Sequence, residues 1–333
     1  MRSQSPIRER LQTQVRAASL DGLMWDDGNA CAKTALCDLG AVIDIRALTA
    51  LGTTREVNGT IAVTFISQEY ARVGLNWVEA MRRIGWRNYL VIAGDEATFR
   101  DLCALAVPCV ESRLEMAAMD STYVSPLGFT HKGLAMTAMK FPIVHTLLRL
   151  GLNVIMSDVD TVWLKSPMKA IGNWDVDVAF QRVVYFPRAL AKLWGFAACS
   201  GFACFRSSAG TIALLEACID EHQRVQDDQV AINLALLSAG TRWERNLRCP
   251  ALEENRTDAD LIADFCREGK KHIRGRTTEH GLDVVALAHN QFWRHNWFDS
   301  NPSEMIVCHP NTEKSDSGKR QRFKELGLWY VGT

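Results

Sequence analysis

From residue 58 onward the hydrophobic and polar positions fall into a regular pattern. Thr60 to Ile66 is β-branched and apolar, which predicts a strand. Trp77, Val78, Met81 and Ile84 then recur at helical spacing, and Tyr89 to Ala93 is a second short apolar run ending at Gly94-Asp95. Lys132 to Arg149 reads as a helix that feeds a strand at 153–157 through Gly151. Asp177 to Phe180 opens another strand, Gly201 to Phe205 a further one, and Asp228 to Leu237 is helical. Strands alternating with helices predict an α/β layer with a mainly parallel sheet. Ligands in such sheets bind beyond the carboxyl ends of strands. Residues 1–57 show weak periodicity broken by polar turns, and read as an N-terminal extension ahead of one domain at 58–333.

Composition narrows the function without naming it. At 333 residues the chain can bury a large core. Acidic and basic side chains balance at 38 each, which gives no bulk charge to recruit nucleic acid. The longest apolar stretch, Phe141 to Met156, is interrupted by His145, Arg149 and Asn153. It falls short of the roughly 20 apolar residues a membrane span needs, so no span is expected. No secretory-type apolar segment is visible at the N-terminus. The ten cysteines contain no Cys-x-x-Cys pair, which disfavours a zinc site and leaves the redox compartment open. The ten tryptophans carry no functional weight by number alone.

The chemistry concentrates where the apolar run Val154 to Met156 delivers Asp158 and Asp160. In an extended segment residues i and i+2 point to the same side, so both carboxylates would face one point while Val159 faces away. Two hard oxygen ligands at a strand end suit Mg²⁺ or Mn²⁺, ions that share their shell with phosphates. The alternative is a turn or helix cap, but two carboxylates at a buried strand end are costly without a counter-charge. Asp175-Val176-Asp177 is an internal control: it precedes its apolar run, so turn and solvated surface are expected there. A strand ending Asp-x-Asp-x-Val also begins haloacid-dehalogenase-like phosphatases. Those need a later strand ending in acidic residues, and Asp227-Asp228 opens a helix instead.

Further fragments follow in order: Val-Thr-Phe at 63–65 with Asn76-Trp77, then Ile92-Ala93-Gly94-Asp95-Glu96, then Lys140 ahead of Gly151-x-Asn153-Val154. After them come Ser157-Asp-Val-Asp-Thr-Val-Trp163-Leu-x-x-Pro167, Ser200-Gly-Phe-Ala-Cys-Phe-Arg206-Ser, Asp228-Gln229 with Asn233, and His309-x-Asn311 with Gly318 and Lys319. Over about residues 58–333 these resemble the nucleotide-diphospho-sugar transferases of glycosyltransferase family 77. That family includes plant rhamnogalacturonan xylosyltransferases and extensin arabinosyltransferases. The resemblance implies a GT-A fold and transfer of sugar from a nucleotide-diphosphate donor, expected to be a UDP-sugar, to a glycan or glycoprotein acceptor. It also implies dependence on Mn²⁺ or Mg²⁺, retention of anomeric configuration and work in the Golgi lumen. With no anchor visible, the cytoplasm is the alternative location.

On that resemblance Asp158 and Asp160 are the DxD metal ligands and His309 is the third, set against a merely structural histidine. Lys140 and Lys319 are expected toward phosphate, with an exposed helix lysine as the alternative for Lys140 and with Lys314 competing for the role of Lys319. Thr64 and Tyr70 follow the first strand where the base would sit, Tyr70 as a stacking face or as a core residue. Asp95 would receive base or ribose hydroxyls, or cap the following helix. Asp228 and Gln229 are the expected catalytic pair beside the donor sugar, with Asp228 alternatively the N-cap of its helix. Gly201 would let the backbone approach the sugar, or mark a bulge. A relative that only binds a sugar nucleotide or glycan is disfavoured, because Asp158, Asp160, Asp228, Gln229 and His309 are all present.

Overall fold

A computed structural model describes residues 46–50, 59–112, 131–244, 257–295 and 300–332. Its centre is a nine-stranded sheet in the order β3-β2-β1-β4-β7-β6-β10-β9-β8. The strands are β1 (Thr60–Ile66), β2 (Tyr89–Ala93), β3 (Cys109–Glu111), β4 (Asn153–Ser157), β6 (Val178–Val183), β7 (Ala197–Phe205), β8 (Arg242–Trp243), β9 (Ile273–Arg276) and β10 (Asp283–Ala286). Following the pairings across the sheet, seven strands run one way and only β7 and β9 run against them. This is the mixed, mainly parallel sheet expected from the sequence.

The inner strands are apolar on both faces because both are covered. In β1, Ile61, Val63 and Phe65 join a core with Phe141, Leu147 and Leu215, while Ala62 and Ile66 face one built on Trp77, Trp163 and Phe202. The first core lies under α3 (His131–Arg149), α5 (Ala209–Val225) and α6 (Asp228–Ser238). The second lies under α1 (Ala71–Arg83) and α2 (Glu96–Ala104). The short α4 (Arg188–Trp194) and α7 (Asp258–Glu268) complete the first layer, and α8 (Asp316–Glu325) is the last helix. The N-terminal extension is described only at 46–50, a helical turn whose Leu48 is fully buried in the first core.

A second, three-stranded sheet has no counterpart in the sequence reading, and it positions the site. It consists of β11 (Phe292–Trp293), β12 (Val307–Cys308) and β5 (Val162–Trp163). Antiparallel pairing matches Val307 with Trp163 and Cys308 with Val162. Continuing that register by one step sets His309 beside the Asp158–Thr161 segment. Asn76 then fastens the chain beyond α8, donating to Leu328 O at 3.0 Å and accepting from Tyr330 N at 2.6 Å.

Candidate active site

Asp158 and Asp160 lie in a tight turn, not in the extended segment expected. Asp158 O accepts from Thr161 N at 3.0 Å and from Thr161 Oγ1 at 2.8 Å. Behind the turn Ser157 is fully buried. Its hydroxyl accepts from the indoles of Trp77 (3.0 Å) and Trp163 (3.1 Å), which leaves its proton for Thr161 Oγ1 at 2.5 Å. Every donor in this chain of bonds is used, which fixes the turn. Two of the tryptophans therefore act on the site through Ser157, a role their number could not reveal. The control pair also departs from expectation. Asp175 is exposed, but Asp177 is buried, ion-paired with Arg206 and accepting from Asp283 N at 2.9 Å, so it braces β6 against β10.

Ligand atoms of Asp158, Asp160 and His309 lie within 4.8 Å of one another. The protonation of His309 follows from its neighbour. Gln181 Nε2 donates to Phe292 O and Trp293 O at 3.0 Å each, which turns Oε1 toward His309 Nδ1 at 3.0 Å. Nδ1 therefore carries the proton, and Nε2 presents its lone pair to Asp160 Oδ1 at 3.2 Å. Burial, then the charge of Arg294, pull the imidazole down to about 4 against the opposing pull of Asp160, so this contact is not an ion pair. A lone pair and a carboxylate oxygen this close repel unless a positive charge lies against both. That electrostatics fits a cation site.

Gly201 makes room for this cluster, in the stretch of β7 where its register against β6 shifts. A Cβ there would fall 2.2 Å from His309 Cε1 and 2.8 Å from Asp158 Oδ2, so only glycine leaves room for the two side chains. Its carbonyl accepts from Asp158 N at 2.7 Å.

The two lysines are committed to carboxylates. Lys140 is buried, which removes the exposed-helix alternative, and bridges Asp158 Oδ1 (2.5 Å) to Asp228 Oδ2 (2.6 Å). Lys319 pairs with Asp160 Oδ2. Three carboxylates thus touch two ammonium groups, and the charge of Lys314 also acts on Asp160. Burial opposes ionisation of Asp160, but the Lys319 ammonium outweighs it and holds the carboxyl well below its usual range. Burial likewise opposes ionisation of Asp228, and Lys140 reverses the sign. Asp158 reaches solvent, its side chain 26% exposed.

Asp228 is not the helix cap. That task falls to Asp227, whose Oδ1 accepts from Val230 N at 2.8 Å, and the division leaves Asp228 for Lys140. Burial, reinforced by the Asp228 charge, pushes Asp227 up to about 7. Asn233 clamps the same helix to β7, accepting from Ala198 N (2.9 Å) and donating to Ala198 O (2.8 Å). Gln229 donates to Phe186 O at 2.6 Å.

The remaining expected residues stand apart from the cluster or touch it differently. Tyr70 is half-buried, its hydroxyl donating to Lys314 O at 2.6 Å and the Lys319 ammonium lying 5.4 Å from its ring centre. Asp95 takes the capping alternative, accepting from Thr98 N (2.8 Å) and Gln68 N (2.9 Å). Thr64 is fully buried, and its hydroxyl has no hydrogen-bond partner among the described residues. Burial, then Lys319, lower Lys314 from its ordinary range. Sequence reasoning missed Arg294, whose Nη1 donates to His309 O and Pro310 O at 3.1 Å each.

A family model described as nucleotide-diphospho-sugar transferase matches residues 85–323. The chain belongs to that family. The match to the nucleotide-diphospho-sugar transferases takes in Lys140, Asp158, Asp160, Gly201, Asp228, Gln229, His309 and Lys319, and leaves Thr64 and Tyr70 outside. Among curated relatives, the chain is 28% identical over 168 residues to the beta-arabinofuranosyltransferase RAY1 of Arabidopsis thaliana, covering 48% of this chain and 29% of that protein. It is 30% identical over 125 residues to the arabinosyltransferase XEG113 of the same plant, covering 37% of this chain and 19% of that protein. The chain thus spans well under half the length of these relatives. Among solved structures, the galactosyltransferase LgtC aligns at 11% identity with a TM-score of 0.38, over 82% of this chain and 96% of that one.

Among the described residues, no helix is long and apolar enough to cross a membrane.

Proposed function

We propose that this chain transfers a sugar from a nucleotide-diphosphate donor to a glycan or glycoprotein acceptor, using a divalent cation held by Asp158, Asp160 and His309. The observation that carries the reading is the cluster itself, with His309 offering an unprotonated nitrogen to two carboxylates in a chain of this family. Two hard carboxylates with one imidazole fit Mn²⁺, or Mg²⁺, better than a thiophilic ion. Such an ion, when bound, neutralises charge on the departing diphosphate.

The chain's own residues supply the rest. Lys140 joins Asp158 to Asp228, so a sugar held at Asp228 lies next to a diphosphate held at Asp158. Gln229 begins the same helix, and the two residues form the pair we assign to the donor sugar. Lys140 and Lys319, already against the ion ligands, add positive charge where diphosphate arrives. We expect retention of anomeric configuration and a UDP-sugar donor. Because the relatives named above are arabinosyltransferases, UDP-arabinofuranose is the first donor to try. We place the reaction in the Golgi lumen on the same resemblance, which imaging of the tagged chain in its native cells would test.

The experiment is nucleotide release over a panel of UDP- and GDP-sugars, with Mn²⁺ or with chelator. Release from one donor, lost with chelator and in Asp160→Ala, is the expected result. Phosphate release from simple phosphoesters with no sugar-nucleotide turnover would overturn the reading.

A further inference from the structure

Two cysteines remote from the ion cluster are in contact. Cys103, in the last turn of α2, and Cys109, the first residue of β3, bring their sulfurs to 3.6 Å. The chain between them folds back through bonds from Ala106 N to Cys103 O (3.0 Å) and from Val107 N to Leu102 O (2.9 Å). Ala106 takes a left-handed conformation, φ +51°, to make that turn. β3 is an edge of the large sheet, with β2 on its inner side. Cys103 is exposed and Cys109 buried.

We propose that Cys103 and Cys109 form a disulfide, a modification site that ties the end of α2 to the edge strand of the sheet. The sulfurs need to approach by about 1.5 Å to reach a bond length of ~2.05 Å. The turn already brings both sulfurs to one point. A small disulfide such as oxidised glutathione supplies the oxidising equivalents. The Cys103 thiol loses its proton to solvent and its thiolate attacks one sulfur of that disulfide. This forms a mixed disulfide and releases one glutathione thiolate. Cys109 then loses its proton and attacks the Cys103 sulfur, forming the internal bond and expelling the second glutathione thiolate. The two thiolates take up the two protons, so two cysteines lose two electrons and glutathione disulfide gains them.

Access sets the order, because the exposed sulfur meets the oxidant first. Burial, helped by the contact with Cys103, pushes the Cys109 thiol up to about 12. The second step is therefore slow near neutral pH and quickens as pH rises. In a reducing compartment the pair stays as thiols. The bond is independent of sugar transfer.

Both cysteines fall in a single tryptic peptide, residues 101–113, so mass reads the bond directly. The full chain is equilibrated with oxidised glutathione, alkylated, digested and weighed without reduction. The expected product is that peptide free of alkylation and lighter by two hydrogens. In Cys109→Ser the same peptide is expected to carry glutathione on Cys103. Recovery of the wild-type peptide with both thiols alkylated, with glutathione retained on Cys103, or with Cys103 bonded to another cysteine would overturn the proposal.

Discussion

One amide oxygen decides which nitrogen of His309 faces the carboxylates. Gln181 sits at a bulge where the β6–β7 register shifts, and bulges re-aim side chains. Replacing it by leucine removes the acceptor for Nδ1–H and the donor to two buried carbonyls. Gln181→Leu should weaken Mn²⁺ binding about 10- to 100-fold, the usual cost of losing a group that orients a metal ligand. It should also cost about 1–3 kcal/mol of stability through unpaired polar groups. Titration calorimetry with Mn²⁺ checks the first, and an unchanged Kd would remove Gln181 from the site. Gly201→Ala tests the packing side of the same cluster. Its Cβ meets His309 Cε1 at 2.2 Å, so ligands must shift, at a cost of about 1–3 kcal/mol for overpacking. Ion affinity should fall with it, as the same titration would show. Asp158 and Asp160 were legible because their residue type and spacing carry chemistry, whereas His309 was marked only by the family resemblance. Gln181 had no motif. The available signal was a Gln-Arg pair interrupting an otherwise apolar strand, a rare place for polar side chains.

At the scale of elements, the site depends on two adjacent acids at the start of α6 doing different work. Asp227→Ala removes a cap and should cost about 1 kcal/mol in a urea melt while leaving turnover in place. Asp228→Asn should do the reverse, keeping the cap but lowering turnover by about 100-fold or more, as misplaced donor groups do. Equal losses in both assays for both variants would show that the helix start works only as a structural unit. Lys140, on α3, joins this helix to the end of β4. Lys140→Met leaves two carboxylates without their shared cation and should destabilise by about 3–5 kcal/mol. The double variant Lys140→Met with Asp228→Asn should be more stable than Lys140→Met alone, since one stranded charge is gone; a simple sum of the two losses would contradict the bridge. The strands at 60–66, 89–93 and 153–157 and the helices at 132–149 and 228–237 were readable because a buried or amphipathic face leaves a local period. The small sheet was not. Its strands span two residues each, and the pairing of β5 with β12 joins distant segments that share no local pattern. That invisible pairing is what carries His309 to Asp160.

The molecule as a whole should be sensitive to acid well above the carboxylate range. Burial holds His222 at about 4 and His295 at about 3, and depresses His289 well below its ordinary value, so all three are neutral in the folded chain. Unfolded, each takes a proton below about 6.5. Their folded pKa values are lowered, so the stability they contribute is whole above pH 6.5 and drains away as pH falls toward 4. Asp227 works the other way. Its raised value means the folded chain keeps a proton that the unfolded chain releases, a contribution present in acid and lost as pH rises through about 7. His309, also held at about 4, makes four protons taken up by the unfolded chain against one kept by the folded chain, a net of three. Each proton is worth about 1.4 kcal/mol per pH unit, so the net slope is about 4 kcal/mol per unit between pH 6 and 4.5. Urea melts at pH 7.5, 6 and 5 should show the midpoint falling steeply below pH 6, and His222→Asn should flatten that fall. A midpoint independent of pH over this range would mean that the buried imidazoles keep their ordinary affinity for protons, and that the folded chain admits water to them.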